Sequence, residues 1–362
     1  MCCSSRSLKT TKIEVCAFLN VTTIVHVAIH RYIVLMHTSV TDTVLSATGA
    51  QGIRSATVIQ SLWSGYGEIV RIELQGGGYP SVILKHIKLP EAGPHPRGWN
   101  TSRSHNRKVR SYQVEAHWYK NYAHQCDGAC PVPGCLAVSA AANETLLVLT
   151  DLDAMGFDLR KEVVTIEDIY ACLDWLASFH ATFLGSSPEG LWECGSYWHL
   201  ATRPDELAAL EDVRLREAAS LIDQELARCR FQTLVHGDAK LANFCFTGDT
   251  PIPGVAAVDF QYLGRGCGMK DLAYFVGSCL REDECEAWEG DLLDYYFTRL
   301  RAQLEQKQPG IDADALEGEW RGLYDVAWAD FHRFLKGWSP GHWKINSYSE
   351  KLTSRVIERL QP

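Results

Sequence analysis

The sequence predicts an α+β protein of two lobes, a small β-rich N-lobe followed by a larger, mainly helical C-lobe. Three observations lead there. Short apolar runs alternate with glycine turns between residues 56 and 87, and a buried-looking strand spans Glu144 to Leu149. Beyond Thr150 the apolar residues recur at helical spacing.

In chain order, Ile59 to Trp63, Ser64-Gly65-Tyr66-Gly67 and Glu68 to Leu74 read as strand, tight turn and strand. Gln75 to Pro80 is a second turn, and Ser81 to Ile87 a third strand rich in β-branched residues. Leu89 to Arg107 is a long polar segment holding Pro90, Pro94, Pro96 and Gly98. Val109 to Ala123 is helical, with Tyr112, Glu115, Tyr119 and Tyr122 at helical spacing. Asp151-Leu152-Asp153 opens the connector to the second lobe. There, Ile166 to Phe183 aligns Ile169, Leu173, Leu176, Phe179 and Phe183 on one face. Leu207 to Arg228, Trp288 to Leu304 and a stretch with Trp320, Tyr324, Trp328 and Phe331 form further helices. The expected division is a poorly defined extension over 1–50, an N-lobe over 51–150 and a C-lobe over 151–362.

Apolar residues make up 46% and charged residues 22% of the 362, the composition of a globular protein. A net charge of -9 excludes broad, non-specific nucleic-acid contact, which needs a basic surface. Thirteen cysteines, an odd number without repeating spacing, read as reduced thiols and so as a cytoplasmic chain. Cys126, Cys130 and Cys135 lack the paired C-x-x-C spacing of a zinc site. Arg6, Lys9 and Lys12 precede an apolar run from Val15 to Met36 that has the outline of a targeting segment. Asn20, His26, His30 and Arg31 interrupt it, so no stable membrane span is expected, and Met36 is the alternative start.

The chemistry concentrates in His236-Gly237-Asp238-Ala239-Lys240-Leu241-Ala242-Asn243. Phosphoryl transfer from ATP calls for an aspartate that accepts the proton of the attacking hydroxyl, and for an asparagine five residues on whose amide oxygen holds magnesium. Asp238 and Asn243 stand at that spacing, and Lys240 is placed to offset charge on the transferred group. Val255 to Val258 then delivers Asp259 at a strand tip, twenty-one residues after Asp238, where a carboxylate suits a Mg2+ ion between phosphates.

HGDAKLANF followed by VDFQYLGRGCGMKDLAYF resembles the aminoglycoside phosphotransferase and choline kinase superfamily, and within it the ecdysteroid-kinase-like, or CHK-kinase-like, branch. The likeness runs from about Trp63 to Arg355. It implies a two-lobed protein-kinase-like fold, ATP and Mg2+ as cofactors, and a small-molecule hydroxyl acceptor such as an amino alcohol, a sterol or a sugar. It assigns the chemistry to Asp238, Asn243 and Asp259, and structural support to His236 and Asp271. Gln261 replaces the glycine of the protein-kinase Asp-Phe-Gly motif, which points to a metabolite rather than a protein acceptor. Lys85 on the third strand corresponds to the nucleotide-binding lysine, with Glu115 as its ion-pair partner. Gly65, Tyr66 and Gly67 would cover the phosphates. The connector from Leu147 to Asp153, with Leu149 and Asp151, would hold adenine through backbone groups.

Helical spacing assigns Trp320, Tyr324, Trp328 and Phe331 to a core. In related kinases this region borders the acceptor, so a choline-like substrate against Trp328 is the competing expectation. The competing function is a pseudokinase that binds nucleotide or a partner protein without catalysis. Retention of Lys85, Asp238, Asn243 and Asp259 together argues against it.

Overall fold

A computed structural model describes residues 38–62, 65–89, 102–141, 143–248, 250 and 253–360. Trp63, Ser64, most of the polar segment after Leu89 and the apolar run ending at Met36 lie outside the described residues. The N-lobe is a five-stranded antiparallel sheet of order β1-β2-β3-β5-β4, built from β1 (Gly52–Ser61), β2 (Gly67–Gln75), β3 (Ser81–Lys88), β4 (Cys135–Ala140) and β5 (Glu144–Thr150). Two-residue periodicity decides which way each side chain faces. Val82 and Leu84 of β3 join one core with Val70 and Ile72 of β2. Lys85, the residue after Leu84, is turned to the opposite face, toward Glu115 and Asp259.

Helix α1 (Thr38–Thr48) closes that first core with Val40 and Val44, both buried. Part of the expected 1–50 extension is therefore built into the N-lobe. Strand β1 also starts seven residues earlier than expected. It is an edge strand with Ala56 as its buried residue, so its sequence carries no alternation, and irregularities at Ile53/Ser55 and Val58/Gln60 interrupt its pairing. Helix α2 (Ser102–Asn121) likewise begins before the expected Val109. Its first half has no apolar stripe, because Arg103, Arg107 and Arg110 reach across to the C-lobe instead: Arg103 pairs with Asp205, and Arg107 and Arg110 donate to the carbonyls of Thr202 and Leu191.

The C-lobe packs α3 (Ile166–Thr182) against α7 (Glu282–Lys307). Helix α8 (Ala313–Trp338) lies between α5 (Val213–Ala227), α6 (Met269–Cys279) and α9 (Ser347–Leu360). A capping box of Thr165 and Asp168 starts α3. The helix expected over Leu207 to Arg228 is in fact two, α4 (Pro204–Ala209) and α5. The break comes where Asp212 turns back to cap α5, accepting from Leu215 N at 3.0 Å. Among the described residues no helix is long and apolar enough to cross a membrane.

Candidate active site

Two short two-stranded sheets carry the site. β6 (Thr233–Val235) pairs with β9 (Gly264–Gly266), and β7 (Phe244–Phe246) with β8 (Val255–Ala257). The turn after β6 holds His236, Gly237 and Asp238. Gly237 has φ +77°, and a Cβ there would lie 2.2 Å from the Tyr262 carbonyl oxygen, so only glycine lets the chain pass. Asp271, buried in the first turn of α6, accepts from His236 N at 2.6 Å and Gly237 N at 2.9 Å. His180 braces Asp271 from behind at 3.2 Å. His236 and Asp271 thus hold the turn, as expected, and His236 Nε2 adds a 3.0 Å contact to the Val258 carbonyl.

Asp238 is buried and multiply held. Its Oδ2 accepts from Lys240 Nζ at 2.8 Å and Asn243 Nδ2 at 3.2 Å, and its Oδ1 from the Tyr274 hydroxyl at 3.1 Å. Burial raises its pKa and prevails over the opposing charge of Lys240. Tyr274 was not among the expected site residues. It lies one helical turn after Asp271, and that i,i+3 spacing was the available signal.

The second carboxylate follows β8, in the other small sheet. Val258 N donates to the Asn243 carbonyl at 2.9 Å, which ties the two segments together beside Asp259. Asp259 has φ +70°, a left-handed conformation that Asp tolerates better than most residues. Burial pushes its pKa up, but Lys85, Lys108 and Lys240 outweigh that and hold the carboxyl below its ordinary value. Gln261 explains the departure from glycine at this motif. Its Nε2 donates to Asp259 Oδ1 at 2.5 Å while its Oε1 accepts from Lys108 Nζ at 2.8 Å and Ser111 Oγ at 3.2 Å, linking the carboxylate to α2.

Lys85 and Glu115 meet as expected, Nζ to Oε2 at 2.7 Å with both side chains buried, and Lys85 also stands 3.6 Å from Asp259 Oδ1. In the glycine turn, Gly65 and Gly67 take φ of +77° and +125°, and a Cβ on Gly67 would strike the His86 carbonyl at 1.9 Å. Tyr66 packs inward, its hydroxyl 2.6 Å from His105 Nδ1.

The side chains of two expected residues are engaged elsewhere. Leu149 is buried in the main core, and the Asp151 carboxylate is bound by Arg71 Nε and Ser81 Oγ, each at 2.7 Å. Much of the connector backbone is spent as well: the carbonyls of Asp151, Leu152 and Asp153 accept from Met155, Phe157 and Gly156 in a local turn. Trp328 is also misplaced by the choline-like expectation. It is 3% exposed and packs on Gly277 and Tyr348, whereas Phe334 and Trp338 of the same helix face the cleft.

Asp238 and Asp259 line one cavity of 440 Å³ between the lobes, together with Tyr66, Lys108, Lys240 and Gln261. Its far wall carries Tyr197, Tyr262, Phe334 and Trp338, with Arg107 and Arg203 beside them. An ionised carboxylate next to an asparagine amide is an oxygen donor set suited to a hard divalent cation.

No curated protein matches the chain significantly. Solved structures similar to it include a microcompartment-associated aminopropanol kinase, at 16% identity over 89% of this chain and 94% of that one, TM-score 0.46. Another is choline kinase from Cryptosporidium parvum Iowa II, at 11% identity over 85% and 88%, TM-score 0.46. A third is a thermostable mutant of an aminoglycoside phosphotransferase in ternary complex with ADP and hygromycin B, at 13% identity over 90% and 100%, TM-score 0.46. A family model of phosphotransferase enzymes, APH, matches residues 64–306, well over half of the sequence, and the chain belongs to that family.

Proposed function

We propose that this protein transfers the γ-phosphate of ATP to the hydroxyl of a small molecule, in line, with Asp238 as the base. One observation carries the reading. Asp238 and Asp259 face a single cavity, and the Lys85–Glu115 pair stands directly behind Asp259. Lys85 holds the phosphates of ATP from the N-lobe side, and the turn at Gly65, Tyr66 and Gly67 covers them. Asn243 and Asp259 would hold Mg2+, which neutralises phosphate charge. Lys240 sits where charge gathers on the transferred group, and Asp238 orients the acceptor hydroxyl and takes its proton. Positioning and charge neutralisation supply most of the acceleration.

The cavity wall narrows the acceptor. Arg107 and Arg203 line it, and the Arg203 guanidinium already lies over the Tyr197 and Phe334 rings at 5.8 and 5.1 Å, so these aromatic faces of the pocket are served by a cation. An ammonium acceptor would be repelled there, while an uncharged hydroxylated ring system stacks on Tyr197, Phe334 and Trp338. This favours a sterol-like or sugar-like acceptor over an amino alcohol, and with it the ecdysteroid-kinase-like branch.

The test is ATP consumption with magnesium across a panel of hydroxylated metabolites, in wild type and Asp238→Asn. We expect acceptor-dependent turnover that falls about 10²–10⁴-fold in the variant with Mg-ATP affinity retained. Mg-ATP binding without turnover on any acceptor would favour the pseudokinase, and unchanged turnover in Asp238→Asn would remove the base assignment.

A further inference from the structure

A second cavity of 390 Å³ shares no lining residue with the first. Cys194, His199, Asp223, Cys267 and Lys270 are among the residues that line it. Its volume is within the ~300–1,000 Å³ of small-ligand pockets. The Cys194 sulfur accepts from Lys270 Nζ at 3.7 Å, and His199, whose Nδ1 stands 3.4 Å from Asp223 Oδ1, lines the same cavity. Lys270 is 2% exposed and keeps Asp330 as its second partner at 3.4 Å, so its ammonium stays fixed beside the sulfur.

That environment sets Cys194 apart from the other thiols. Burial pushes up the thiols of Cys172, Cys245, Cys279 and Cys285. Burial opposes ionisation at Cys194 too, but Lys270 first and His199 after it prevail and hold it below its ordinary value. Burial would push the His199 imidazole down, yet Asp223 and Cys194 raise it to about 9, so it holds a proton at neutral pH. Cys130 is also lowered, to about 7, chiefly by a hydrogen bond from Cys126, but it is 0% exposed. A partly exposed thiol held below its ordinary pKa beside fixed positive charge is the pattern of a reactive cysteine.

We propose that Cys194 is a covalent modification site for low-molecular-weight disulfides, with His199 as the proton donor. The thiolate attacks one sulfur of the disulfide. A new bond forms to the Cys194 sulfur as the incoming S–S bond breaks, and the departing thiolate takes the proton from His199. A small thiol reverses the exchange, and no further oxidant enters.

The position gives the adduct a route to the phosphotransfer site. The three residues after Cys194 are hydrogen-bonded to the frame of the catalytic turn: Gly195 N to Arg265 O at 2.9 Å, Ser196 N to Tyr262 O at 3.1 Å and Tyr197 N to Gly237 O at 3.1 Å. Ser196 is held at φ +112°, a conformation a non-glycine residue leaves readily once its frame shifts. Tyr197 itself lines the first cavity.

The experiment treats the full chain with oxidised glutathione and follows each cysteine separately by peptide mass. We expect a reductant-reversible adduct on Cys194 that forms roughly tenfold more slowly in His199→Gln. Amide exchange over residues 237–243 should quicken in the adduct and recover on reduction, while Cys194→Ser shows neither response. An unmodified Cys194, an equal rate in His199→Gln, or exchange over 237–243 that ignores the adduct would each overturn the proposal. The readouts use neither ATP nor an acceptor, so they stand apart from the phosphotransfer assignment.

Discussion

At the scale of single residues, the site holds two carboxylates whose surroundings push them in opposite directions. Asp238 is raised by burial, and Asp259 is lowered because three lysines outweigh burial. The linkage sign for Asp238 follows from a folded pKa above the unfolded one. Its stabilising contribution is complete below the ordinary carboxylate pKa and is lost as pH rises through the raised value, so at neutral pH the charged side chain is a net cost. Asp238→Asn should therefore melt no lower than wild type at pH 7, and the advantage should vanish on acidification toward the ordinary carboxylate range; a large drop in Tm at pH 7 would contradict this. Lys240, 39% exposed, exchanges its lost partner for water. Lys85 is the opposite case. Removing it in Lys85→Met leaves Glu115 and Asp259 facing one another without their cation, and denaturant unfolding should show a loss of about 3–5 kcal/mol. Glu115→Gln leaves Lys85 beside Asp259 and should cost clearly less.

At the scale of elements, α8 separates two roles along one helix. Trp328 fills the core against Gly277, where a Cβ would lie 2.5 Å from its ring, whereas Trp338 is 45% exposed and stacks on Phe334 at 5.7 Å. Trp328→Ala should cost about 3–5 kcal/mol in stability. Trp338→Ala should leave Tm nearly unchanged and raise KM for the acceptor. The reverse pattern would restore the choline-like placement of Trp328. Helix α2 is equally divided. Its basic first half meets the C-lobe through hydrogen bonds, and its second half carries Glu115 and the buried Trp118.

For the whole molecule, Trp118 makes the two lobes one structure. It stacks on Phe260 at 4.8 Å and meets Phe183 edge-on at 5.3 Å, so a helix of the N-lobe contributes to the main core of the C-lobe. The same core includes Leu147 and Leu149 of β5, whose neighbours Leu146 and Val148 belong to the N-lobe core. Folding should accordingly be cooperative across the cleft, with tryptophan fluorescence and far-UV dichroism reporting one transition. Trp118→Ala should cost about 3–5 kcal/mol. It should also weaken Mg-ATP binding through the displaced Glu115. Two separate transitions in the wild-type protein would show that the lobes are not joined in this way.

The local parts were readable along the chain alone. The glycine turn, the strand holding Lys85, the helical stripe ending at Phe183 and the spacing of Asp238, Asn243 and Asp259 were legible because each depends on a short period or a fixed offset. The pairing of Glu115 with Lys85 came from the resemblance to kinases, since a helical glutamate by itself is usually solvated. Features without a local signal waited for the tertiary structure. Strand β1 lies at an edge with little buried surface, and the first half of α2 is held by contacts to another lobe. The break before α5 hangs on a single cap. The side chain of Asp151, in the connector expected at the nucleotide, meets Arg71, a partner eighty residues away. Which face of α8 turns to the cleft was likewise undecided by its aromatic spacing, since core and pocket both favour large rings. The joining of Cys194, His199, Asp223 and Lys270 depends on two helices and a loop closing around one cavity. Such convergence is a matter of packing over long separations, and no period in the chain encodes it.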